Sequence, residues 1–167
     1  SPLSSGRELP DLLAQPGDQI ILNRIYGAAF ESRLIGKPIG DVTTFVGQRL
    51  AGAPYEAGTL DQSGGEQLVV NLRGFDCVTL VENALAISRA IKANRLSFDV
   101  YRRELQRIRY RDGKIDGYLS RLHYFTDWID DNARKGIVED VTGKLGGKPY
   151  RKPINFMSAH RGSYPGL

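Results

Sequence analysis

The stretch GFDCVTLVENALAISRA, residues 74 to 90, constrains this chain more than any other. Its apolar residues Val78, Val81, Leu85 and Ala86, with Ile91 just beyond, fall near helical spacing, and Gly74 supplies a flexible joint before them. A helix over residues 78–93 is therefore expected, with Cys77, the single cysteine of the chain, at its N-terminus. A lone thiol closes no internal disulfide, so the fold must rest on an ordinary apolar core. At 167 residues and 41% hydrophobic, the chain is long enough for one such core, and a single domain over residues 1–167 follows.

The rest of the pattern is helix-rich. Residues 9–13 read as a short helix, and residues 19–32 as a longer one, with Ile21, Ile25, Ala28 and Ala29 at helical offsets. After the turn IGKPIGD, Asp41 is the expected N-cap of a helix over residues 42–50, whose stripe is Val42, Phe45, Val46 and Leu50. The loop AGAPYEAGTLDQSGG leads into EQLVVNL, residues 66–72, short and β-branched enough to be a buried strand. Phe98, Tyr101, Leu105 and Ile108 mark a further helix with Arg102, Arg103, Arg107 and Arg109 on its other side. Asp112-Gly113 is a turn of the hairpin-closing type. Ser120 is the expected cap of a helix over residues 121–134, with Leu122, Phe125, Ile129 and Ala133 inward. Residues 137–141 hold at most a short strand, and NFMSAHRGSYPGL closes with no recognisable element. The class is α+β and mainly α-helical.

Charge narrows the partners. The chain has 23 Lys plus Arg against 19 Asp plus Glu, a net charge of +4 and a pI of about 9.3, which favours anionic surfaces without choosing among them. The arginines of residues 102–111, interleaved with Tyr101 and Tyr110, are explained more simply as a solvated helix face than as a nucleic-acid site, so no nucleic acid is expected. No apolar run approaches the roughly 18 to 20 residues of a membrane helix. The opening SPLSSGRELP, without a methionine, suits a mature protein freed of its signal peptide or a trimmed chain.

Two chemistries compete on the residues alone. A helix N-terminus offers unsatisfied N–H groups and a positive dipole end, which favour a thiolate nucleophile, but a lone cysteine is also ordinary packing material. A cysteine nucleophile needs a base, and the histidines are His123 and His160. One Cys and two distant His do not make a zinc pattern, so neither a metal nor another cofactor is expected. A glycoside hydrolase needs two carboxylates about 5 to 10 Å apart. Asp112, Asp116, Asp127 and Asp130 are candidates, with no spacing that singles out a pair.

AGAPYEAGTLD, LVVNLRGFDCVTLVENALA and YRDGKIDGYLSRLHYFTDWI together resemble the N-acetylmuramoyl-L-alanine amidase-like family of bacterial cell-wall hydrolases, within the NlpC-type, papain-like cysteine amidases. The likeness runs over residues 39–164. It implies the helical part of a papain-like fold, its β-rich part short or missing. Cys77 becomes the nucleophile of an acyl-enzyme, with Asp76 and Tyr55 lining the substrate site. SRLHYF adds Ser120, Arg121 and His123, Arg121 being suited to a stem-peptide carboxylate through paired hydrogen bonds, and Tyr118 joins the substrate-lining set. The implied partners are peptidoglycan or muropeptide fragments, and the implied location is periplasmic or secreted. The family pattern continues past Asn-Phe-Met-Ser into a β-rich portion with His-Val-Gly, which this chain lacks. Three readings stay open: the chain is the helical part of a longer enzyme, incomplete at its C-terminal end; His123 is the base; or the protein is an inactive wall-binding module.

Overall fold

A computed structural model describes residues 14–164. The short helix expected over residues 9–13 lies outside the described residues.

The architecture is mainly helical: α1 (Pro16–Glu31), α2 (Ile39–Leu50), α3 (Cys77–Lys92), α4 (Phe98–Arg109), α5 (Phe125–Arg134) and the single turn α6 (Phe156–Ala159). α3 is the central element, packed against both α2 and α4. Leu22 and Ile25 of α1, Val42 and Val46 of α2, Ala86 and Ile87 of α3, and Leu105 and Ile108 of α4 converge on one buried cluster. Full burial of each large aliphatic side chain is worth roughly 1.5 to 3 kcal/mol. Pairing between described residues is limited to two isolated bridges, Tyr55 with Phe75 in parallel and Tyr110 with Arg121 in antiparallel sense.

The helix starts follow local chemistry. α1 has Pro16 at its first position, and the Asp18 carboxylate accepts the Gln15 N–H at 2.8 Å. α2 starts ahead of the expected Asp41 cap: Pro38, at φ −53° and ψ 147°, is the N-cap, and Asp41 sits inside the first turn, where the dipole still favours its charge. α3 begins at Cys77 as the sequence predicts.

Leu68, Val69, Val70 and Leu72 are buried, but residues 66–72 do not form a strand. Their polar backbone groups are met by side chains from distant elements: Asp18 accepts the Leu72 N–H at 2.9 Å, Arg109 donates to the Val69 carbonyl at 2.6 Å, and Tyr110 Oη donates to the Gln67 carbonyl at 2.8 Å. Side chains thus take the place of most of a ladder, Val69 alone standing in a single-residue bridge. Arg109 is therefore not on the solvated face of α4; it is buried.

Downstream, Asp112 and Gly113 both take positive φ, 51° and 72°, turning the chain so that Arg121 meets Tyr110. That bridge holds Arg121 extended. Consequently α5 starts at Phe125, not at 121, and Ser120 serves a turn instead of a helix cap. Its buried face is Trp128, Asp131 and Asn132, with Phe125 exposed. Residues 137–141 form no strand. The closing segment, expected to be featureless, contains α6, tied down by buried Met157 and by its N–H, which donates to Tyr124 Oη at 3.0 Å.

Candidate active site

Cys77 is the first residue of α3, and its side chain is exposed. Asp76 is the N-cap. Its Oδ1 accepts the N–H groups of Val78 at 3.0 Å and Thr79 at 2.7 Å, while Thr79 Oγ1 accepts the Asp76 N–H at 2.9 Å. This reciprocal box fixes the entry of the chain into the helix. The Cys77 N–H has no acceptor among the described residues. Beside it runs the loop containing Tyr55: Phe75 N–H donates to the Pro54 carbonyl at 3.1 Å and Glu56 N–H to the Phe75 carbonyl at 2.9 Å. Tyr55, 75% exposed, thus stands against the chain just ahead of Cys77.

A second group gathers around Arg121. Its guanidinium is buried, reaching Asp61 Oδ1 at 2.5 Å and standing 3.1 Å from Glu66 Oε1, and its carbon lies 4.9 Å from the Tyr118 ring centre. The Tyr118 and His123 rings are 4.4 Å apart. His123 Nε2 donates to the Tyr118 carbonyl at 2.8 Å, because a carbonyl can only accept; Nδ1 is left as the free lone pair of the neutral ring. Burial pushes the His123 imidazole below its usual range; the hydrogen bond to Tyr118 opposes this, and the Arg121 charge adds to it. His123 lines a cleft of about 270 Å³ with Arg111, Leu119, Arg121 and Met157. Tyr118 borders another of about 600 Å³ with residues 60–66. Ser120 Oγ donates to the Gly117 carbonyl at 2.6 Å and accepts the Asp116 N–H at 2.9 Å, so its hydroxyl is occupied in the turn.

Tyr55, Asp76 and Cys77 are brought together, as are Tyr118, Arg121 and His123. The loop from Tyr55 to Glu66 runs from the first group to the second. No hydrogen bond joins Cys77 to an imidazole: His123 is held by Tyr118, and His160 Nδ1 meets the Phe156 carbonyl at 2.7 Å. Among the described residues no group of three or more His, Cys, Asp or Glu is arranged to hold a metal ion.

Three groups supporting the site were not singled out from sequence. Asp61 and Glu66 occupy the guanidinium that the stem-peptide reading requires, and burial raises the Glu66 carboxyl above its usual range. Glu82, buried on α3, accepts from Arg109 Nε at 2.7 Å and from Trp128 Nε1 at 3.2 Å. That joins α3, α4 and α5 through one buried carboxylate. A polar Thr79, Glu82, Asn83 set on a helix otherwise lined inwardly by Ala86, Ile87 and Ala90 is the only local signal of it.

Comparison with known proteins gives this helix-led fold a family. The model of the N-acetylmuramoyl-L-alanine amidase-like family matches residues 45–165, and the chain belongs to that family. The crystal structure of an N-acetylmuramoyl-L-alanine amidase from Bacteroides uniformis ATCC 8492 is 44% identical, with a TM-score of 0.72 over 77% of this chain and 54% of that one. A Bacteroides fragilis protein provisionally named a xylanase is 42% identical, with a TM-score of 0.66 over 71% of this chain and 52% of that one. A Legionella pneumophila protein of the DUF1460 family, at 23% identity and a TM-score of 0.61 over 75% of this chain and 40% of that one, shares the fold. The chain spans about half the length of the Bacteroides proteins it matches. No curated protein sequence matches it significantly.

Proposed function

We propose that this chain is the cysteine-bearing part of a bacterial peptidoglycan amidase of papain-like type, acting outside the cytoplasm on the bond between N-acetylmuramic acid and L-alanine or on a nearby stem-peptide bond. The observation that carries the reading is Cys77: exposed, first in a capped 16-residue helix, and beside Tyr55, in a chain of the amidase-like family. Cys77 Sγ attacks the amide carbonyl carbon, and the developing oxyanion is met by the unpaired Cys77 N–H. The base takes the thiol proton and returns it to the leaving amine. Water then hydrolyses the thioester, releasing the acid and restoring the thiol.

His123 is the proposed base within these residues, acting through its free Nδ1 as a neutral imidazole; a histidine from outside them is the competing source. Tyr55, Asp76 and Tyr118 are proposed to line the bound muropeptide, with Ser120 holding the turn beside Tyr118. Arg121 meets a substrate carboxylate only by sharing its guanidinium with Asp61. The glycosidase reading has less support. A general acid needs a raised pKa, whereas the hydrogen bond from Arg111 holds Asp127 below the usual carboxylate range, and Asp112 faces Arg134.

The test is muropeptide hydrolysis followed by mass spectrometry, with Cys77→Ala and Cys77→Ser beside wild type. Both variants are expected to fold and to lose turnover. Retained cleavage of an amide in both removes the cysteine mechanism, cleavage between sugars favours the glycosidase, and binding without cleavage by wild type favours the wall-binding module.

A further inference from the structure

Two protons are needed where Tyr110, Gln67 and Glu66 meet, and the phenol supplies only one. Tyr110 Oη stands 2.8 Å from the Gln67 carbonyl and 2.8 Å from Glu66 Oε1. A carbonyl can only accept, so the phenolic proton goes to Gln67, and the second contact is a hydrogen bond only if the Glu66 carboxyl donates to Tyr110 Oη. An ionised Glu66 would set two acceptor oxygens against each other with no proton between them. The place is buried: Tyr110 is 1% exposed and the Glu66 side chain 4%.

The charges around Glu66 favour the same state. Asp61 Oδ1 meets the Arg121 guanidinium at 2.5 Å, whereas Arg121 Nε, 3.1 Å from Glu66 Oε1, is not aligned to donate to it. Arg109, the other cation close by, is held by Glu82 at 2.7 Å. Two carboxyl groups therefore share one guanidinium, and ionising both would leave a buried negative charge without a partner. Burial raises the Glu66 carboxyl above its usual range; Tyr110, Arg121 and Arg109 oppose this, and Asp61 adds to it. The Tyr110 and Tyr118 hydroxyls, both raised by burial, stay neutral while Glu66 titrates.

We propose that Glu66 is a positioning residue that keeps a proton in the folded protein, so that the Asp61, Arg121 and Glu66 group is neutral and the cleft bordered by residues 60–66 and Tyr118 admits an anionic stem peptide. When Glu66 gives its proton to solvent, the group carries one negative charge and repels the same substrate carboxylate. This rests on the peptidoglycan reading of the site and adds its regulation: anionic fragments bind best while Glu66 is protonated and more weakly as rising pH ionises it.

Carbon-13 NMR of the glutamate side-chain carboxyls tests the proton directly, in the intact protein titrated from about pH 4 to 9. Glu66 is expected to ionise well above the range of an exposed glutamate; ionisation within or below that range overturns the proposal. Calorimetry then follows an anionic muropeptide binding to Cys77→Ala, which holds substrate without turnover. Affinity is expected to fall about tenfold as Glu66 ionises, the effect of one charge roughly 10 Å away at an effective dielectric of about 20. A muropeptide with amidated stem carboxylates is expected to show no such fall. Glu66→Gln, added to Cys77→Ala, donates to Tyr110 Oη as the protonated carboxyl does. It is expected to bind as tightly as its parent at low pH and to lose the Glu66 part of the profile, leaving only what His123 contributes. A merely structural Glu66 would leave both profiles alike, and that result overturns the proposal. An ordinary Glu66 titration beside tight muropeptide binding overturns this proposal alone. A protonated Glu66 with no muropeptide bound at any pH overturns the peptidoglycan reading, and the anion selection with it.

Discussion

Burial works against a protonated His123, with the Arg121 charge adding to it, so the folded-state pKa lies below the unfolded value of about 6.5. The unfolded chain then binds the proton more readily, and stability is lost as pH falls below about 6.5 toward the folded value. In urea titrations from pH 7.5 downward, His123→Gln is expected to lose less stability than wild type; parallel curves would mean that the ring is not held neutral by the fold. Glu82 and Arg109 make a second residue-scale case. Both are almost wholly buried, and each satisfies the other's charge. Arg109→Met leaves the Glu82 carboxylate uncompensated and is expected to cost about 3 to 5 kcal/mol in urea unfolding, with much of it recovered in Glu82→Leu/Arg109→Met.

α3 carries the proposed nucleophile, and its cap can be separated from its chemistry. Asp76→Ala removes the acceptor for two N–H groups and is expected to cost about 1 kcal/mol, whereas Asn caps as well as Asp does. Asp76→Asn should therefore keep the stability of wild type. If the carboxylate also lines the substrate, turnover falls in Asp76→Asn despite the intact cap; full turnover there would reduce Asp76 to a cap. α3 was legible in the sequence because all its signals are local: Gly74 before it, Asp76 as cap, apolar residues at helical offsets. Even so its inward face was misplaced, since Val81 is exposed while Thr79, Glu82 and Asn83 are buried among groups that pair with them. Residues 66–72 were misread for the converse reason. Their β-branched run has the look of a strand, but the donors and acceptors that replace a ladder come from Asp18, Arg109 and Tyr110, distant in sequence. The start of α5 likewise turned on Arg121 being drawn into the Asp61 and Glu66 pair, which no local pattern around Ser120 displays.

On the scale of the whole molecule, the family and the mainly helical class were readable from three motifs in order. The mutual arrangement of the candidate site residues was not, because it depends on a loop of irregular backbone between Tyr55 and Glu66. That loop sets the Cys77 group and the His123 group on one connected framework, yet His123 already gives its Nε2 proton to Tyr118 and makes no bond to the thiol. The proposed covalent role of Cys77 has a direct readout. Muropeptide mixed rapidly with the intact protein, quenched in acid and mapped by mass spectrometry, is predicted to leave a hydroxylamine-labile acyl group on the peptide containing Cys77, absent in Cys77→Ala. Turnover that leaves no acyl group on Cys77, or that persists in Cys77→Ala, would contradict the account.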